Sequence, residues 1–217
     1  MQRLSTRSNF EPTNNFSKSI IMTISLWIPE SVGAILTVGC VYLATQNKIT
    51  NWPISILASM VYFYVFYQNH FFSDAYLQIV FVLFQLYGWW FWSHLNPTKK
   101  LQYIRKIDRK SIIILAIISV LLYVIWLHFY KLINPTARIP EVDSLTTIIS
   151  LAALFMQAKR WIENWVIWVL VDIMYVPMYI YGEQYITAYL YGFLAIMAIY
   201  GMKEWQKQMI RDIPNKA

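Results

Sequence analysis

An acidic residue deep inside an apolar run is the feature of this chain best suited to chemistry. Asp172 lies ten residues into the segment 162–182, and Trp165, Trp168, Tyr175 and Tyr179 surround it at steps of three and four. On an α-helix those steps make one stripe. An ionised carboxylate at the middle of a bilayer costs about 2.5–3.5 kcal/mol on insertion scales, so something must offset it. A carboxyl bonded to a tyrosine inside a helix bundle would do so. So would a bound cation, which ring faces and a carboxylate attract together. Pro177 leaves the carbonyl of Ile173 without its helical donor and is a candidate hinge beside the stripe.

A polar counterpart lies upstream, where Gln78, Gln85, Trp89 and Trp92 repeat at seven, four and three. Gln85 is eleven residues past Asp74, about 16 Å of helix, which brings it near the depth of Asp172. Buried amides need partners, either across a helix pair or on a ligand. Rings with a few polar groups between them suit a small, flat ligand. Glu30, Asp143, Asn51 and Asn164 read as helix caps, and Trp27 and Trp205 as anchors at the membrane interface. There is no phosphate-binding glycine loop and no His-Glu-x-x-His. The single Cys40 reads as packing, and the three histidines are scattered, so no metal site, cofactor or ATP chemistry is expected.

The elements that must hold these residues follow from composition. Of 217 residues, 58% are hydrophobic and only 13% charged, with a mean hydropathy of +0.43. A soluble core of this size cannot hide so much apolar surface, so the solvent is a lipid bilayer. The net charge of +7 then reflects loops at a membrane face rather than nucleic-acid binding. Seven segments are long enough to span: 25–46, 52–71, 74–95, 111–133, 143–160, 162–182 and 185–205. Polar tails occupy 1–24 and 206–217. Most of the 18 lysines and arginines gather at one face, including Lys48, the run from Lys99 to Lys110, Lys159, Arg160 and Lys203. The expected orientation is therefore N-terminus outside and C-terminus cytoplasmic.

The two ends of the array repeat one another. Asn51-Trp52 recurs 113 residues later as Asn164-Trp165, Tyr62 as Tyr175, Ala75-Tyr76-Leu77 as Ala188-Tyr189-Leu190, Tyr87-Gly88 as Tyr200-Gly201, and Trp92 as Trp205. Each copy holds three spans, 25–95 and 143–205, and the span 111–133 links them. Three spans and one linker reverse direction an even number of times, so the copies run parallel. The expected fold is all-α, seven helices in a 3+1+3 plan, which is that of SWEET-type transporters, with the site at midplane between copies.

The run from Glu163 to Asp172, with Tyr87-Gly88-Trp89-Trp90-Phe91-Trp92 and Asn51-Trp52, resembles the PnuC family of bacterial vitamin transporters. The resemblance covers residues 27 to 205. It implies a SWEET-like protein of the inner membrane, a homotrimer, moving unphosphorylated vitamins by facilitated diffusion that a cytosolic kinase completes by trapping. Members that carry nicotinamide riboside show Trp-x-x-x-Asn in this span, whereas here Trp168 is followed by Asp172. A carboxylate accepts well from an aminopyrimidine's exocyclic amine, so thiamine is the first expectation, nicotinamide riboside the second and riboflavin the third. The expected substrate contacts are Trp165, Trp168, Asp172, Tyr175, Gln78, Gln85 and Trp89. The rival class is a membrane-embedded enzyme using Asp172 as a general acid or base, which requires a second group within hydrogen-bond reach.

Overall fold

Among the described residues seven α-helices form on the apolar runs: α1 (Thr13–Thr45), α2 (Asn51–Gln68), α3 (Phe72–Ser93), α4 (Arg109–Ile133), α5 (Pro140–Ala158), α6 (Asn164–Tyr181) and α7 (Tyr185–Arg211). The computed structural model describes residues 13–68, 72–94, 103–133, 135, 139–181 and 185–211, with side chains from Ile28 onward except at 72–74 and 186. The expectations for the side chain of Trp27 and for the far ends of the tails lie outside the described residues. Two boundaries differ from those expected. Helix α1 starts at Thr13, within the stretch read as a polar tail. Helix α7 runs on to Arg211, where Glu204 pairs with Lys207 at 3.5 Å and Arg211 at 3.4 Å.

Among the described residues four helices are long and apolar enough to cross a membrane by length and composition: Ile28–Thr45 of α1, Ala75–Ser93 of α3, α4, and α6. Helix α5 is more polar because it lies inside the bundle, burying Ser144, Thr146, Thr147, Ser150 and Gln157. Two of its hydroxyls are satisfied by the preceding turn, Thr146 donating to the Val142 carbonyl at 3.0 Å and Ser150 to that of Thr146 at 2.7 Å, while that of Ser144 is buried without a partner among the described residues. Helix α4 is the opposite case, with no buried residue along its length. Helices α1, α2 and α3 pack in sequence, as do α5, α6 and α7, while α4 lies against α5. The two sets meet where α1 touches α7 and α3 touches α5.

Repeated residues occupy repeated environments. After α1 the Lys48 N–H donates to the Leu43 carbonyl and Asn47 to Ala44; after α5 Trp161 donates to Met156 and Arg160 to Gln157. Both patterns are Schellman turns, and both need a left-handed residue, supplied by Asn47 at φ 55° and Arg160 at φ 56°. The helix that follows opens on Asn51 or Asn164, each donating its amide to the carbonyl three residues back, of Lys48 and Trp161, at 2.6 Å. The expected caps are thus corrected: these amides close the preceding turn instead of accepting from helix N–H groups. Glu30 is not a cap either, because α1 passes through it, whereas Asp143 does stand in the first turn of α5.

The core carries the same repeat. Trp52 meets Trp92 edge to face at 5.4 Å, and Trp165 meets Trp205 in the same way at 5.5 Å. Trp205, expected as an interface anchor, is fully buried, because its indole N–H is held by the Ala44 carbonyl at 2.9 Å.

Candidate functional site

Asp172 lies eight residues into α6, about 12 Å from its first residue and close to the middle of the helix. Its side chain is buried, with 5% exposed, and has no hydrogen-bond partner among the described residues. The stripe on which it was placed divides in two. Toward the C-terminal end of α6, Tyr175 and Tyr179 gather with Tyr191 of α7, which lies 4.6 Å from the first ring and 5.1 Å from the second. Tyr191 is also within electrostatic reach of Asp172 and of Tyr62 on α2. Toward the N-terminal end, Trp165 leaves the stripe. It is 1% exposed, with its ring against Gly201 and in a T-shaped contact with Trp205, so it packs in the core. Pro177 sits inside α6, exposed, and the helix continues through it to Tyr181.

Trp168 stays partly buried, one turn before Asp172, and its ring nitrogen donates to Gln157 Oε1 at 3.2 Å. Gln157 Nε2 in turn donates to Asn51 Oδ1 at 3.2 Å. A hydrogen-bonded chain therefore runs from the α1–α2 turn through α5 to the α6 stripe.

On α3 the buried face consists of Ala75, Gln85, Gly88 and Trp92. Gln85 Nε2 donates to the buried hydroxyl of Ser59 on α2 at 3.0 Å, while its Oε1 is buried without a partner among the described residues. Gln78 is partly buried on the same helix. Trp89, expected beside Gln85, is 41% exposed instead. The step of four from 85 carries it past the narrow inward face that Gly88 and Trp92 define.

The two halves are fastened to each other at one end. Trp92 of α3 donates to the Ala158 carbonyl that ends α5 at 2.9 Å, and Trp205 of α7 donates to the Ala44 carbonyl near the end of α1. Lys159 lies over the rings of Phe91 at 4.3 Å, Tyr87 at 5.2 Å and Phe155 at 5.6 Å, and Arg160 over Trp92 at 4.3 Å. The corresponding place in the other half holds Gln46, which donates to Tyr200 Oη at 3.4 Å. The segment before α4 closes over this end: Arg105 exchanges backbone hydrogen bonds with Arg160 and Ile162, and the Ile107 N–H donates to Glu163 Oε2 at 3.0 Å. A separate open depression of about 560 Å³ at the end of α7 is lined by Glu204, Lys207, Ile210 and Arg211, away from Asp172 and Trp168.

The sequence reading did not single out Ser59, Gln157 or Tyr191. Two of them were within its reach, because the spacing of 113 pairs Ser59 with Asp172 and Gln78 with Tyr191. Gln157 left no such signal, since its counterpart is Ala44. The described groups are a buried carboxylate, a ring on the same helix held by a hydrogen bond to α5, and an unpartnered amide oxygen on α3. Ring faces and a carboxylate attract a cation together, and among the described residues no acid–base partner is hydrogen-bonded to Asp172.

A family model described as nicotinamide mononucleotide transporter matches residues 27–207. The chain is 22% identical over 203 residues to the nicotinamide riboside transporter PnuC of Escherichia coli (strain K12), covering 82% of this chain and 84% of that one. It is 24% identical over 200 residues to the nicotinamide riboside transporter PnuC of Neisseria mucosa, covering 85% and 74%. With the riboflavin/roseoflavin transporter RibM of Streptomyces davaonensis it shares 23% over 188 residues, covering 84% and 86%. The crystal structure of the vitamin B3 transporter PnuC superimposes with a TM-score of 0.68 at 18% identity, over 89% of this chain and 92% of that one, and has the same fold.

Proposed function

The chain belongs to the nicotinamide mononucleotide transporter family, that of PnuC, and on this premise we propose that it carries an unphosphorylated, positively charged vitamin across the bacterial inner membrane by facilitated diffusion. It is a multi-pass membrane transporter and not an enzyme. One observation carries the substrate's charge: Asp172 is buried yet unpartnered among the described residues, so its acceptor capacity is available to a ligand. Trp168 supplies a ring one turn away, with Tyr175, Gln78 and Gln85 completing the contacts.

Nicotinamide riboside is the leading substrate, since relatives of similar identity are transporters of it. Riboflavin, which RibM carries, is uncharged and makes poorer use of Asp172. This reverses the order expected from the residues alone, which put thiamine first; none of the relatives named above is a thiamine transporter. Thiamine stays as a second reading for one reason, the carboxylate at the position where nicotinamide riboside carriers show an amide.

The repeated turns, the paired tryptophan contacts and the packing of the helices in threes support a SWEET-like 3+1+3 plan, with bundles 25–95 and 143–205 rocking about the site and α4 as linker. The basic residues at the fastened end support its placement in the cytoplasm, with the N-terminus outside. Transport toward the cytoplasm then requires the Trp92, Trp205 and Lys159 contacts to part, with Pro177 as a hinge. The assembly is a homotrimer, and a cytosolic kinase traps the product. The test is uptake of labelled nicotinamide riboside, thiamine and riboflavin into kinase-free liposomes holding the purified protein. A cationic vitamin should equilibrate without any gradient; entry of neither cation faster than into protein-free liposomes would overturn the proposal.

A further inference from the structure

We propose that Gln157 is a positioning residue for substrate binding: it fixes the ring of Trp168 and anchors it to the opposite half of the molecule through Asn51. The inference rests on the placement of Trp168 in the binding site. Gln157 is the penultimate residue of α5, buried, and both ends of its amide are used. Its oxygen accepts from the Trp168 ring nitrogen at 3.2 Å, and its nitrogen donates to Asn51 Oδ1 at the same distance. Asn51 is itself held, its amide nitrogen donating to the Lys48 carbonyl at 2.6 Å. The three side chains thus form a chain with fixed direction, in which no amide can be turned over without losing two bonds.

The other half lacks this device. The positions 113 residues away from Gln157 and Trp168 hold Ala44 and Ser55, and Ser55 merely bonds back to the Trp52 carbonyl. Correspondingly, Asn164 Oδ1, the counterpart of the oxygen that Gln157 reaches, is buried without a partner among the described residues. A purely structural amide would be expected in both copies, since the turn and the tryptophan packing around it are duplicated. Gln157 occurs only in the copy that carries the ring and the carboxylate of the site. Asn51 belongs to the first three helices, whereas Gln157 and Trp168 belong to the last three, so the ring's orientation depends on the two halves being together at this end.

A double-mutant cycle tests the proposal. Gln157→Leu should weaken binding of nicotinamide riboside, with thiamine as a second probe, by about fivefold to tenfold when Trp168 is present. In a Trp168→Phe background, where there is no N–H to orient, the same change should cost less than about twofold. Gln157→Glu retains an acceptor for the indole but loses the donor to Asn51, so it should recover part of the loss. Equal losses in both backgrounds, or no recovery with Glu, would assign Gln157 to general stability and overturn the proposal. If Trp168→Ala itself leaves binding unchanged, the site reading fails as well, which separates the two failures. A measurement without any vitamin guards against a mistaken substrate. The indole ¹⁵N–¹H resonance that disappears in Trp168→Phe should move in Gln157→Leu and stay near its place in Gln157→Glu; an unmoved resonance would overturn the hydrogen bond on which the inference stands.

Discussion

The ring of Trp52 lies so close to the α-carbon of Gly88 that a β-carbon there would stand 2.4 Å from its nearest ring atom. Trp165 and Gly201 repeat the arrangement at 2.7 Å. Neither tryptophan has room to withdraw, since Trp52 is wholly buried with Trp92 at its side and Trp165 is held in the same way by Trp205. Glycine is required at these positions for close approach of helix and ring.

Gly88→Ala and Gly201→Ala should each destabilise the protein by about 1–3 kcal/mol, the usual scale of overpacking. Thermal unfolding of the detergent-solubilised protein checks this. Gly39→Ala is the control, because a β-carbon at Gly39 meets nothing within 4 Å, and it should unfold no lower than the parent.

Trp168→Ala should weaken binding of the cationic vitamin by about 1–2 kcal/mol, on the scale of a desolvated cation–π contact, in protein that remains folded although its unfolding temperature falls with the loss of core packing. Equilibrium binding to the purified variant decides it. Unaltered affinity would return the ring to packing.

How much of this was legible in the sequence depends on whether a feature is local. Continuous apolar runs fix helices, and identities at a constant spacing fix the repeat, so both could be read directly. The rotation of a helix against its neighbours is not local. A stripe at steps of three and four covers a broad arc, which is why Trp165 and Trp89 were grouped with Asp172 and Gln85 although one packs inward on Gly201 and the other faces out. Contacts between the halves were invisible for the same reason: nothing near Gln157 in the chain marks it as the partner of Asn51, 106 residues away. The family resemblance supplied the vitamin transporter, while its site motif, altered at Asp172, pointed to a substrate order that the relatives do not support.

The start of α4 should respond to acid. Asp108 accepts from the Ser111 N–H at 3.0 Å and from its hydroxyl at 2.7 Å, and these bonds hold its carboxyl below the ordinary carboxylate range. A lowered folded pKa means that the stabilisation is complete above the unfolded value and is lost as pH falls through the folded one. Hydrogen exchange at the Ser111 amide should therefore show protection at neutral pH that declines only in strong acid. In Asp108→Ala that protection should be low at every pH; an unchanged profile would remove the cap.

Transport should be passive. A proton or sodium gradient imposed on kinase-free liposomes should leave the final internal vitamin concentration equal to the external one, since among the described residues Asp172 stands as a buried acid without a relay of others beside it. Gradient-driven accumulation would contradict this.

The account rests above all on Asp172 meeting the substrate, and calorimetry of Asp172→Asn with nicotinamide riboside and thiamine tests that most directly. The substitution keeps size and removes the charge and part of the acceptor capacity. Thiamine should bind about tenfold more weakly, while nicotinamide riboside, suited to an amide at this position, should be affected less or bind more tightly, so that the ratio of the two affinities shifts. Equal affinities of parent and variant for both vitamins, in a protein that remains folded, would contradict the account.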